Sequence, residues 1–124
     1  MVSLEDVRGL SRDKKYEEAI ALVQSLIDEG ENSKDKEGVI PAPYLELAKL
    51  YAKVKDPESE KGVLERYFRQ RMARGSQKEK MVERYAKLCK KHGYEIPIDI
   101  KKTIEKIISG TMNDEIFKAL LSSQ

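Results

Sequence analysis

The sequence is short of most of the residues on which chemistry is built. Its 124 residues include one cysteine, one histidine, four prolines and no tryptophan, and only 6% are aromatic. A lone Cys89 cannot close an internal disulfide, and it supplies one of the roughly four ligands that a structural zinc needs. No apolar stretch approaches the ~18 residues of a membrane-spanning helix. The opening MVSLEDVRGL is acidic and interrupted by polar residues, unlike a secretory signal. A reducing, cytoplasmic setting is the expectation. Phosphate-cradling loops are missing too, because neither Gly30 nor Gly38 is followed by Gly-Lys-Ser/Thr. His92 lies three residues from Cys89, but no third group that would orient a thiol and imidazole pair is evident. Cys89 falls at a packing position and His92 in the last turn before Gly93, so we expect no catalytic residue, no metal and no cofactor.

What is present is helical patterning, with 40% hydrophobic and 37% charged residues. Ser3 and Asp6 form a capping box that opens a first helix to about Ser11, with Leu4, Val7 and Leu10 at three-residue spacing. Asp13 is expected to cap a second helix to about Asp28. Its stripe of Tyr16, Ala19, Ile20, Val23, Leu26 and Ile27 must pack on something, and Gly30 is expected to end it. Residues 30–40, GENSKDKEGVI, read as an exposed loop. Pro41 and Pro43 open a third helix through Tyr44, Leu47, Ala48, Leu50, Tyr51 and Val54. Asp56 as N-cap and Pro57 at the first helical position start a fourth, to about Ala73, with Gly75 as its stop. Ser76 and Glu79 suit the start of a fifth that ends at Gly93. Pro97 opens a sixth carrying Ile100, Ile104, Ile107 and Ile108, which Gly110 closes. Residues 112–123 form a last amphipathic helix. The expectation is one all-α domain over residues 1–124, in units of about 3–28, 41–74 and 76–109, with the last helix as a cap.

The net charge of +2 conceals an uneven distribution. Residues 1–62 hold 10 Lys and Arg against 14 Asp and Glu, whereas residues 63–124 hold 14 against 8. Between Arg66 and Lys91 ten cations face only Glu79 and Glu83. Clustered like charges repel one another unless an outside partner or solvent screens them, so this stretch calls for either an anionic partner or a solvated face.

An internal repeat is the most specific feature. With an offset of 38 residues, PYLELAKLYAKV lies over MVERYAKLCKKH: Tyr44, Leu47, Ala48, Leu50 and Tyr51 fall on Val82, Tyr85, Ala86, Leu88 and Cys89. On these residues the chain resembles the tetratricopeptide repeat family of helical solenoids. Tyr44, Leu47, Ala48 and Tyr51 match the first-helix pattern of that family, and Tyr16, Ala19, Val23 and Leu26 match its second-helix pattern. Val82, Tyr85, Ala86 and Cys89 match loosely. Glu60 stands where the family has alanine and Tyr67 where it has a second small residue. The spacing of 38 departs from the usual 34. The resemblance spans roughly residues 3–108 and is strongest over 14–28 and 41–68; a non-repeating helical bundle would show similar apolar stripes.

The resemblance implies a short solenoid of six to seven antiparallel helices, with the first helix of each pair lining a concave surface. The outward positions carried over are Leu45, Lys49, Ala52 and Lys53, then Lys80, Glu83, Lys87, Lys90 and Lys91, with Arg8 and Arg12 from the first unit. That surface is mostly basic, so the implied role is a protein-protein interaction adaptor or scaffold for an acidic peptide or helix. The family's clamp for a terminal carboxylate is not reproduced, because Asn32 and Asn113 lie outside the groove helices. The alternative is an RNA- or DNA-binding helical-repeat protein using the patch of Arg66, Arg69, Arg71 and Arg74 and the stretch to Lys91. Against it, Tyr67, Phe68 and Tyr85 occupy core positions, where they cannot stack on bases. Pairing of two copies through their end faces is a further alternative.

Overall fold

The carboxylate of Asp6 accepts hydrogen bonds from the backbone N–H of Ser3 at 2.9 Å and from its hydroxyl at 3.4 Å, which fixes the start of α1 (Leu4–Arg12). In this computed structural model, which describes residues 3–33, 38–70, 72 and 77–108, five further helices follow: α2 (Tyr16–Asn32), α3 (Ala42–Lys53), α4 (Pro57–Phe68), α5 (Lys78–His92) and α6 (Ile98–Ile108). No strand occurs among the described residues, and the protein is all-α. Asp56 caps α4 as expected, accepting from the Ser59 N–H at 3.1 Å, with Pro57 just inside the helix. The expected helix over 112–123, the stop glycines Gly75 and Gly110, and Ser76 lie outside the described residues.

The helical hairpins share one joint. Lys14, Lys55 and Gly93 all have left-handed backbones, with φ of 60°, 60° and 69°. In each case the next N–H reaches back five residues: Lys15 to the Leu10 carbonyl at 2.9 Å, Asp56 to that of Tyr51 at 2.9 Å, and Tyr94 to that of Cys89 at 3.0 Å. This is the Schellman closure, which satisfies a helix's last carbonyls while reversing the chain. Lys55 and Gly93 stand 38 residues apart, the spacing of the sequence repeat, and Lys14 and Lys55 stand 41 apart. Gly93 meets the backbone demand without strain, whereas the two lysines adopt a conformation that L side chains disfavour.

Three boundaries differ from the sequence reading. Asp13 ends α1 rather than starting α2, because Lys14 must turn left-handed directly after it and Lys15 takes the N-cap place. Gly30 does not end α2, which runs on to Asn32. A glycine costs a helix interior only about 1 kcal/mol, and Glu31 beyond it is anchored to α4. Of residues 30–40, the first three are thus helical, and Val39 pairs with Met72 in an isolated parallel bridge. That bridge requires extended chain at Met72, and α4 accordingly stops at Phe68 instead of reaching Ala73.

The chain divides into two compact units, Met1–Ala73 and Arg74–Gln124. In the first, α1 packs on α2, α2 on α3 and α3 on α4. Its buried residues include Val7, Ala19, Val23, Ile27, Leu47, Leu50 and Leu64. Tyr67 is buried with them, its ring 5.3 Å from that of Tyr44 in a tilted contact and 5.4 Å from that of Phe68 edge-on. Glu60 and Tyr67, the two departures from the repeat pattern, are both buried. In the second unit α5 packs on α6. Met81, Val82, Tyr85, Ala86 and Cys89 of α5 are buried, as are Ile100, Ile104 and Ile108 of α6. Val54, expected on the apolar side of α3, is instead its half-exposed C-cap.

Candidate partner-binding faces

Burying one stripe of a helix dictates what the opposite stripe shows to water. On α3 the buried Tyr44, Leu47, Ala48 and Leu50 leave Lys49, Ala52 and Lys53 exposed and Leu45 half-buried. Lys53 is held in place: its Nζ donates to Ser11 Oγ at 3.0 Å and lies 5.7 Å from the centre of the Tyr16 ring. Arg8 donates to Glu5 at 3.0 Å and stands 3.7 Å from Glu46. Side chains of α1 and α3 therefore meet, and acids on the same face offset Arg8. Arg12 is exposed.

On α5 the division is sharper. Lys80, Glu83, Lys87, Lys90 and Lys91 are all exposed, at intervals of three and four residues that keep them on one side of the helix. Lys87 donates to Glu83 at 2.6 Å, a pairing four residues apart along the helix. The stripe thus carries four cations against one carboxylate.

Arg66, assigned from sequence to a basic patch, is turned inward on acids of its own unit. Its Nε and Nη2 donate to the two oxygens of Glu31 at 2.7 and 2.8 Å, and Nη2 also donates to Asp28 at 2.8 Å. Such a two-pronged contact is the strong form of a charged hydrogen bond. Tyr44 completes the group by donating its hydroxyl to Glu31 at 2.7 Å. Burial pushes the Glu31 carboxyl up, but the hydrogen bonds from Arg66 and Tyr44, with the Arg66 charge, outweigh it and hold the group below the usual carboxylate range. Burial and the Glu31 carboxylate push the Tyr44 hydroxyl up. Hydrogen bonds to Glu31 and Asp28 push Arg66 up as well. Arg69 is exposed at the end of α4, and Arg71 and Arg74 lie outside the described residues. The Glu31 and Asp28 partners of Arg66, and the Tyr44 hydroxyl on Glu31, were missed by sequence reading; the available signal was the pair of acids three residues apart in the last turns of α2.

Tyr67, Phe68 and Tyr85 are buried, so their faces are closed to a nucleobase. The Tyr67 hydroxyl is buried without a hydrogen-bond partner, and burial pushes its pKa up to about 12. Cys89 is buried, whereas His92 is exposed with its ring stacked 5.4 Å from that of Tyr94. Among the described residues no group of three or more His, Cys, Asp or Glu side chains is placed to hold a metal ion. Nor is any described helix long and apolar enough to cross a membrane. No protein-family model matches the chain, and no curated protein or solved structure matches it.

Proposed function

We propose that the protein is a non-enzymatic, cytoplasmic interaction module, an adaptor or scaffold of tetratricopeptide-like helical hairpins that takes an acidic segment of another protein. The observation that carries this reading is the division of α5, whose buried side holds Met81, Val82, Tyr85, Ala86, Leu88 and Cys89 and no charged residue, and whose exposed side presents Lys80, Lys87, Lys90 and Lys91 beside Glu83. A row of exposed ammonium groups attracts carboxylates at long range, speeding encounter more than it deepens affinity. The shared left-handed joint supports the kinship of the hairpins with a repeat, since the same closure recurs at Lys14, Lys55 and Gly93. The burial of Tyr67, Phe68 and Tyr85 favours a protein ligand over RNA or DNA, because the aromatics within the basic stretch offer a base no face to stack on.

The test is fluorescence anisotropy with a labelled peptide rich in Asp and Glu. Wild type is compared with a Lys80→Glu, Lys87→Glu, Lys91→Glu variant whose helicity is verified by circular dichroism. Loss of binding in the variant supports the α5 face. Equal binding by both forms rejects it. Tighter capture of single-stranded RNA, with a steep fall as salt rises, would move the reading to nucleic acid.

A further inference from the structure

Among the described helices, α2 has the most one-sided charge. It holds Glu17, Glu18, Asp28, Glu29 and Glu31 and not one lysine or arginine in 17 residues. Arg66 engages Asp28 and Glu31, but Glu17, Glu18 and Glu29 are exposed and enter no hydrogen bond or ion pair among the described residues. Lys14 and Lys15, just ahead of the helix, are exposed and do not pair with them. Residues 34–37, which follow it closely, hold two lysines against one aspartate and one glutamate and add no net charge. The three free acids are thus left to solvent or to a partner.

They match the free cations of α5 in number and spacing. Glu18 and Glu29 stand eleven residues apart, as do Lys80 and Lys91, so each pair spans roughly 16 Å along one side of its helix. Glu17 adjoins Glu18 at one end, and Lys90 adjoins Lys91. Ala21 and Ser25, between the acids, are small and exposed, so a neighbouring helix can come close. Laid side by side and antiparallel, the two helices bring Glu17 and Glu18 against Lys90 and Lys91, and Glu29 against Lys80. That direction also sets the positive end of each helix dipole beside the negative end of the other. We propose, resting on the reading of α5 as a face for acidic segments, that two copies of the chain associate, α2 of one lying antiparallel along the α5 row of the other. A second copy is the occupant whose charge and spacing the chain itself supplies. It competes with an acidic peptide for the same lysines, which makes self-association a brake on partner binding.

Exposed ion pairs contribute little each, so association of the full chain is expected at roughly 0.1–1 mM in low salt and is lost at about 0.5 M salt. Sedimentation equilibrium measures it. Glu17→Lys with Glu18→Lys reverses one face, and Lys90→Glu with Lys91→Glu reverses the other; circular dichroism checks that both double variants keep their helicity. Each alone should associate about tenfold more weakly than wild type. An equimolar mixture of the two should recover the wild-type affinity, because the reversed ends then attract each other. The proposal is overturned by a chain that stays monomeric at about 1 mM in low salt, by a double variant that associates as wild type does, or by a mixture without recovery. The reading of α5 is judged separately, since the Glu17→Lys, Glu18→Lys variant keeps its α5 lysines and should still bind the peptide rich in Asp and Glu. Peptide binding without self-association rejects the pairing alone, whereas a monomeric chain that binds no peptide rejects the α5 face as well.

Discussion

The charged run from Arg66 to Lys91 holds two kinds of contact, one in each unit. In the first, charged and hydroxyl groups reach from helix to helix: Arg66 to Glu31 and Asp28, Tyr44 to Glu31, Lys53 to Ser11, Arg8 to Glu46. In the second, Lys87 pairs with Glu83 and Thr103 with the Asp99 carbonyl, each along a single helix. Three cations of the first unit, Arg8, Lys53 and Arg66, thus join its helices, whereas those of the α5 stripe face outward. Counting basic residues along a sequence does not separate the two uses. Arg66 and Lys87 belong to one charged run in the sequence, yet one is a fastening and the other is surface.

The largest expected effects test whether the units are also separate in stability. Tyr67→Ala and Tyr85→Ala each remove a buried aromatic side chain, which costs about 3–5 kcal/mol. Hydrogen exchange should show the loss confined to residues 3–72 in the first variant and to 77–108 in the second. Equal loss of protection throughout by either variant would mean that the chain unfolds as one body.

Next in size is the fastening itself. Glu31→Gln leaves the Arg66 guanidinium without its two-pronged partner, and should cost about 2 kcal/mol in urea denaturation of the first unit. A double-mutant cycle with Arg66→Ala should return a coupling of about 1–2 kcal/mol, and a value near zero would reduce the contact to a surface pair. The same carboxylate gives a pH dependence. Because its folded pKa is depressed, its contribution is complete above the unfolded value of 4.5 and is lost as pH falls through the folded one. Acid titration of Glu31→Gln should accordingly be flatter below pH 4.5 than that of wild type.

Smaller changes are expected at the joints and in the core. Tyr67→Phe removes a buried hydroxyl that has no partner, and should leave stability unchanged or raise it by about 1 kcal/mol. Its alkaline limb should also flatten, since the pKa raised to about 12 makes the folded state resist ionisation from about pH 10 upward. Lys14→Gly and Lys55→Gly should each stabilise by roughly 0.5–1 kcal/mol by relieving the left-handed lysines, and Gly93→Ala should destabilise by a similar amount. Thermal melts of the three variants would check the signs.

Much of the fold was legible because it is written locally. Ser3 with Asp6, Asp56 with Pro57, and Gly93 each act within one turn, and the buried stripes of α2, α3 and α5 follow three- and four-residue spacing. The joints at Lys14 and Lys55 were not legible, because lysine carries no signal for a left-handed backbone. Gly30 misled for the complementary reason: its local cost is small against an anchor that comes from α4. The same distance hid the role of Arg66, whose partner Glu31 lies 35 positions away. On α5 the outward lysines could be read, since one helix sets both its buried and exposed sides.

The left-handed joints also bear on the order in which the chain assembles. Each is closed by a bond spanning five residues, so a hairpin can reverse with little loss of chain entropy before distant parts have met. The Arg66 contact can form only after α2 and α4 have come together. Glu31→Gln should on this account leave the folding rate nearly unchanged and quicken unfolding. Such a chain makes its bends first and fastens them afterwards.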